Sequence, residues 1–203
     1  MIESGRSRAL ALGAAAACAL LGAALFFAQR PSLQRAVTYA GTPIVPPKSA
    51  ADAMLIDQNG APAHLIAPGY DLTFLFFGYT HCPDECPLAL ASLGKAYRAL
   101  APDRAARTRV VFVTVDPERD VPAVMRRYVA SFDPHFTGLS GSRAQLAPVW
   151  AAYGVKIDRA TREIAHGDAI YAIDATRSVV LIYPPDAAAA DLAADAVKLT
   201  APG

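Results

Sequence analysis

The chain has 203 residues, of which 54% are hydrophobic and 18% are charged, and its formal net charge at pH 7 is +1. This length suits one domain of ordinary size. The apolar content excludes a disordered chain, and the near-neutral charge argues against a nucleic-acid partner. Three cysteines are too few to hold a chain of this length together by disulfides.

The N-terminal segment is predicted to cross a membrane. Residues 9–28 contain no charged side chain, and a helix of that length covers about 30 Å, the thickness of a bilayer's hydrocarbon core. The run is longer than the apolar region of a signal peptide and ends in the bulky residues Leu25, Phe26 and Phe27. We therefore favour an uncleaved anchor in residues 1–30 over a cleaved signal, with the large C-terminal part translocated.

A linker is predicted between this anchor and the domain. Residues 31–53 show little periodicity and contain four prolines, namely Pro31, Pro43, Pro46 and Pro47. Such a composition is typical of a tether that holds a domain away from the membrane. The domain itself is then expected over residues 54–203.

Strands and helices alternate along the predicted domain. In chain order they are a hairpin over residues 54–64, a buried strand over 71–77, a helix over 86–100, a second buried strand over 109–115, helices near 121–131 and 143–153, two close strands over 169–173 and 178–183, and a last helix over 187–199. Buried strands alternating with helices, followed by a hairpin and a helix, indicate an α/β fold with a sheet of thioredoxin type.

Cys82 and Cys86 lie four residues apart where the first buried strand meets the next helix. The positive end of the helix dipole favours the thiolate, which is the form of cysteine that binds metals and attacks disulfides. A structural disulfide here would close a very short loop and stabilise little. Two active interpretations stay open. One is a dithiol–disulfide couple, with three intervening residues instead of the usual two. The other is a thiolate site for Cu(I), Zn or an iron–sulfur cluster, which needs a further ligand.

Four histidines are candidates for that ligand. We expect His64 in the hairpin and His135 in a loop to be polar surface residues. His81 adjoins Cys82, but neighbouring side chains on an extended segment point apart, which argues against a direct ligand role. His166 lies just before the first of the two close strands. In a thioredoxin-type sheet its loop lies beside the cysteine loop, so that fold would favour His166 as a ligand.

A group of charged residues follows the second buried strand, at the carboxyl end where ligand sites of open α/β sheets gather. It contains Asp116, Arg119 and Asp120. Either acid is suited to capping the next helix, and either is equally suited to orienting the groups around the thiols. Arg119 is expected to pair with one of the two acids.

These motifs together resemble the SCO/SenC family of copper-binding cytochrome oxidase assembly proteins. The resemblance covers roughly residues 50–200 and is carried by Thr80-His-Cys-Pro-Asp-Glu-Cys-Pro87, by Asp116-Pro-Glu-Arg-Asp120 and by His166 ahead of Ala169-Ile-Tyr-Ala-Ile-Asp174. It implies a membrane-tethered thioredoxin-like domain in which Cys82, Cys86 and His166 bind copper. Two thiolates and an imidazole suit Cu(I), and the nitrogen lets Cu(II) be tolerated.

The function implied by the resemblance is that of a copper metallochaperone, not an enzyme with turnover of its own. It would help to build the dinuclear copper centre of cytochrome c oxidase, with the copper-bearing oxidase subunit as acceptor and another copper chaperone as donor. The expected location is the bacterial inner membrane, with a single span and the domain in the periplasm. The alternative is a thiol–disulfide reductase that keeps the copper-ligating cysteines of the oxidase reduced, which would need Cys82 and Cys86 but not His166.

Overall fold

The computed structural model describes residues 37–157 and 169–200. Its elements are β1 (Thr42–Ser49), β2 (Met54–Asp57), β3 (Pro62–His64), β4 (Leu72–Gly78), α1 (Glu85–Ala99), α2 (Pro102–Ala106), β5 (Thr108–Thr114), α3 (Pro122–Ala130), β6 (Thr137–Ser140), α4 (Arg143–Ala152), β7 (Ile170–Asp174), β8 (Ser178–Tyr183) and α5 (Ala189–Leu199). The predicted α/β class is confirmed. No helix within these ranges is long and apolar enough to cross a membrane, and the predicted anchor lies outside them.

One mixed sheet organises the described part of the chain. Its strand order is β1-β8-β7-β4-β5-β6-β2-β3. The pairs β4–β5 and β5–β6 are parallel, and all the other pairs are antiparallel. Both β4 and β5 are buried along their whole length, as continuous apolar runs predict for central parallel strands. Their carboxyl ends, at Gly78 and Thr114, therefore lie side by side.

The sheet separates two hydrophobic cores because successive strand residues point to opposite faces. On one face Phe76 and Phe112 pack with α1, α3 and α5. On the other face Phe77 and Val113 pack with α4, whose Trp150 donates its indole N–H to the carbonyl of Thr114 at 3.1 Å. The end of β5 is thus held in place from the side opposite α1.

The predicted linker contains a strand. Residues 42–49, placed in the linker by their prolines, form β1 and pair with β8 at the edge of the sheet. The register shifts between Pro43 and Lys48. Prolines lack an N–H but are tolerated in edge strands and at such irregularities, which explains how a proline-rich segment joins the sheet. Two further elements, α2 and β6, were also not predicted, because neither is longer than five residues.

A buried carboxylate fastens the chain just before β1 to the rest of the domain. The Asp195 side chain in α5 is fully buried and accepts hydrogen bonds from the N–H groups of Ala40 and Gly41, at 2.8 and 3.0 Å. It also accepts from the Tyr183 hydroxyl at 3.0 Å and from the Lys198 ammonium at 2.7 Å. Burial by itself raises the pKa of Asp195, but these donors outweigh burial and leave the pKa below its usual value.

Candidate metal centre

The turn between β4 and α1 brings the two predicted cysteines together. Cys82 lies in this turn, and its N–H donates to the carbonyl of Tyr79 at 3.1 Å. Cys86 lies in the first turn of α1, and its N–H donates to the Sγ atom of Cys82 at 3.4 Å. Both residues are free thiols. The predicted position of the pair, at the junction of the first buried strand and the following helix, is confirmed.

The two thiols have different surroundings. Cys82 is half-buried, whereas Cys86 is 0% exposed. Burial raises the pKa of the Cys86 thiol well above its usual value, and the hydrogen bond with the Cys82 thiol and the charge of Glu85 act in the same direction. The helix start was expected to favour the thiolate, but at Cys86 burial raises the pKa and favours the neutral thiol. Removing a thiolate from water is costly, and this cost acts against the effect expected from the helix start.

Gly78 makes room for the buried thiol. A Cβ atom on this glycine would stand 2.6 Å from Cys86 Sγ and 2.8 Å from the ring atom Cε2 of Phe112. Both separations are shorter than any normal contact with a Cβ atom. The last residue of β4 must therefore lack a side chain if Cys86 is to pack against Phe112.

A buried carboxylate anchors the cysteine loop to the end of β5. Asp120 is 0% exposed and accepts a hydrogen bond from the N–H of Thr80 at 3.1 Å and another from the Thr80 hydroxyl at 2.6 Å. The Thr114 hydroxyl donates a third, also at 2.6 Å. Thr80 lies two residues before Cys82, so Asp120 fixes the segment of chain that leads into the thiol pair.

These contacts decide between the two interpretations of the acidic residues. The N-cap of α3 is Val121, and the helix has no side-chain capping bond, so the capping interpretation of Asp116 and Asp120 is wrong. Asp116 instead forms an ion pair with Arg119, as expected for one of the two acids. The orienting interpretation holds for Asp120, through its contacts with Thr80 rather than with a thiol.

Three of the four histidines lie in the described part of the chain, and of these only His81 belongs to the cysteine loop. His64 and His135 are exposed and bond to nearby carboxylates, which agrees with the predicted surface roles. His81 Nδ1 lies 3.1 Å from the Thr80 hydroxyl and 3.7 Å from a carboxylate oxygen of Asp120. No group of three potential metal ligands occurs within the described part of the chain. His166, the predicted third ligand, lies outside the described residues.

The sequence did not indicate a role for two tyrosines near the thiols, Tyr79 and Tyr128. Burial and the charges of Cys82 and Cys86 raise the pKa of Tyr79, which follows β4 directly. The pKa of Tyr128 on α3 is also raised, by burial first and then by the charges of Cys86, Cys82 and Asp120. Helical periodicity places Tyr128 on a partly buried face, but the sequence carries no signal that Tyr128 and Cys82 pack against the same core cluster.

The SCO1/SenC family model matches residues 46–201, which include both cysteines, the acidic segment and His166. The chain belongs to the SCO1/SenC family. The mitochondrial SCO2 homolog of Bos taurus is 40% identical to it over 111 residues, which are 54% of this chain and 41% of the bovine protein. The chain thus spans about half the length of the curated relatives it matches.

Solved structures support the same assignment. Apo Sco1 from Thermus thermophilus is 36% identical, with a TM-score of 0.71, and the match covers 81% of this chain and 99% of that one. The copper-bound ScoI of Bradyrhizobium japonicum is 35% identical, with a TM-score of 0.65 and coverage of 74% and 99%. The mixed α/β fold described above is therefore the fold of Sco proteins.

Proposed function

We propose that this protein binds copper as cargo through Cys82, Cys86 and His166 and delivers it to the copper-bearing subunit of cytochrome c oxidase, for the dinuclear copper centre. The observation that carries the proposal is the pair of free thiols held together at the carboxyl end of β4. Copper is supported by the copper-bound ScoI structure, and the oxidase by membership of a family that includes cytochrome c oxidase assembly proteins.

The contrast between the two thiols suits reversible loading. A thiol must lose its proton to bind a metal, and the cation then replaces the proton as the partner of the buried sulfur. Because burial disfavours a bare thiolate at Cys86, this residue stays a neutral thiol until copper arrives. The half-buried Cys82 gives an incoming ion, or an acceptor's ligand, access to the site. A site of two soft sulfurs and one nitrogen is suited to Cu(I).

The proposed setting is the periplasmic face of a bacterial inner membrane. In this proposal residues 1–30 anchor the chain by a single span, and residues 31–41 lead to the edge strand β1. A second copper chaperone supplies the ion, and the oxidase subunit accepts it. Anchoring would confine the domain to the membrane surface where an oxidase subunit is assembled.

Thiol–disulfide reduction is the second candidate function, because one thiol is reachable and the other lies buried in hydrogen-bond contact with it. The Cys82 thiolate would attack a disulfide of the oxidase subunit and release one substrate thiolate. Cys86, after losing its proton, would then attack the Cys82 sulfur and release the second. The substrate gains two electrons, and the Cys82–Cys86 pair becomes a disulfide.

Titration of the reduced full-length chain with Cu(I) tests the leading proposal. We expect one tightly bound ion, weaker binding in His166→Ala, and loss of the tight site in Cys82→Ser and Cys86→Ser. His135→Ala is the matched control, since His135 is exposed and bonds to Asp133, and it should bind copper as the wild type does. Unchanged affinity in His166→Ala would remove this histidine from the ligand set. Disulfide reduction that survives His166→Ala, together with weak copper binding by the wild type, would favour the reductase.

A further inference from the structure

The hydroxyl group of Tyr128 is buried and has no hydrogen-bond partner within the described part of the chain. A buried hydroxyl without a partner destabilises the folded protein relative to phenylalanine at the same position, because the oxygen loses its hydrogen bonds to water on folding and gains none in return. The ring alone satisfies the packing here, since it lies against Phe112 and Phe132 with centroid distances of 5.4 and 5.2 Å. The oxygen atom therefore calls for a separate explanation.

Tyr128 and the cysteine pair share the same neighbourhood. Phe112, which contacts the Tyr128 ring, also lies against Gly78 at the point where Cys86 Sγ packs. Cys82 and Tyr128 both pack against the core cluster that contains Cys86 and Phe112. The raised pKa of Tyr128 agrees with this arrangement, because burial is its main cause and the charges that Cys86, Cys82 and Asp120 carry when ionised add to it. Phe112 therefore lies between the ring of Tyr128 and the buried thiol of Cys86, in contact with the first and beside the second.

We propose that Tyr128 is a positioning residue of the thiol site, and that its hydroxyl donates a hydrogen bond to Cys86 Sγ when this sulfur binds copper as a thiolate. The inference rests on the proposed function, because it assigns a role to Tyr128 at the same site. A neutral thiol sulfur is a weak acceptor, whereas a sulfur that carries negative charge is a strong one. The hydroxyl therefore gains its partner on loading, and this gain favours the loaded state.

Tyr128→Phe in the full-length chain tests the inference with three readouts. The first is Cu(I) affinity, measured by competition with a chelator, which should fall about tenfold, or ~1.4 kcal/mol. The second is the sulfur-to-Cu(II) charge-transfer band, which should move to lower energy because the sulfur loses a hydrogen bond. The third is the urea midpoint of the copper-free reduced protein, which should stay the same or rise, since the substitution removes an unpaired hydroxyl.

Tyr183→Phe is the matched control. Its hydroxyl is already paired with Asp195, so this variant should lower the urea midpoint and leave copper affinity and the band unchanged. Wild-type affinity and an unmoved band in Tyr128→Phe would overturn the inference, as would a fall in affinity with no band shift. Cys82→Ser distinguishes a failure of the proposed role of Tyr128 from a failure of the proposed copper site. If it loses copper while Tyr128→Phe does not, only the role of Tyr128 fails; if it keeps tight copper, the proposed site itself fails.

Discussion

Replacing Asp120 with alanine removes the acceptor of three hydrogen bonds at the base of the cysteine loop. These bonds come from the N–H and the hydroxyl of Thr80, at 3.1 and 2.6 Å, and from the hydroxyl of Thr114, at 2.6 Å. A buried donor left without a partner costs about 1–3 kcal/mol. Thr114 is fully buried, whereas the half-buried Thr80 recovers part of its loss by binding water. We therefore expect the free energy of unfolding to fall by about 3 kcal/mol.

Urea denaturation of the reduced protein measures this change as a lower midpoint with an unchanged slope. Asp120→Asn keeps one acceptor oxygen and should lose roughly half as much. Glu118→Gln is the control from the same segment, because this carboxylate pairs with Arg143 at an exposed position and should change stability by less than about 1 kcal/mol. A loss in Asp120→Ala no larger than that of the control would refute the anchoring role of Asp120.

Three further predictions concern packing, reactivity and pH. Gly78→Ala should lower the free energy of unfolding by about 1–3 kcal/mol by overpacking against the buried thiol, whereas in Gly141→Ala the new Cβ has no contact shorter than 3.4 Å and the urea midpoint should hardly move. Brief iodoacetamide treatment of the folded reduced chain, followed by peptide mapping, should label Cys82 before Cys86; equal rates would contradict the burial of Cys86. Because the folded-state pKa of Asp195 is lowered, its contribution to stability is present above pH ~4 and is lost as the pH falls further. Urea midpoints measured across pH should therefore fall less steeply below pH ~4 in Asp195→Asn than in the wild type.

Most of the fold could be predicted because its central elements are long and strongly patterned. The local sequence is enough to predict β4 and β5 from their apolar runs and α1 from its helical periodicity. The edge strand β1 does not, because its residues are mostly exposed and it depends on pairing with β8, far along the chain. Prolines in such an edge strand resemble those of a linker, and only the pairing with β8 distinguishes the two.

The candidate site was predictable only in part. The spacing of Cys82 and Cys86 at a strand–helix junction was enough to place the pair. The burial of Cys86 was not predictable, because it depends on which side of the first turn of α1 faces Phe112 and on the missing side chain of Gly78. The bond between Asp120 and Thr80 spans 40 residues of sequence, so no local pattern reports it.

X-ray absorption of the Cu(I)-loaded full-length chain tests whether Cys82, Cys86 and His166 together bind copper. We expect a copper ion bound by two sulfurs and one nitrogen, with the nitrogen lost in His166→Ala and retained in His135→Ala. A wild-type spectrum with sulfur ligands alone, or one that His166→Ala leaves unchanged, would contradict it.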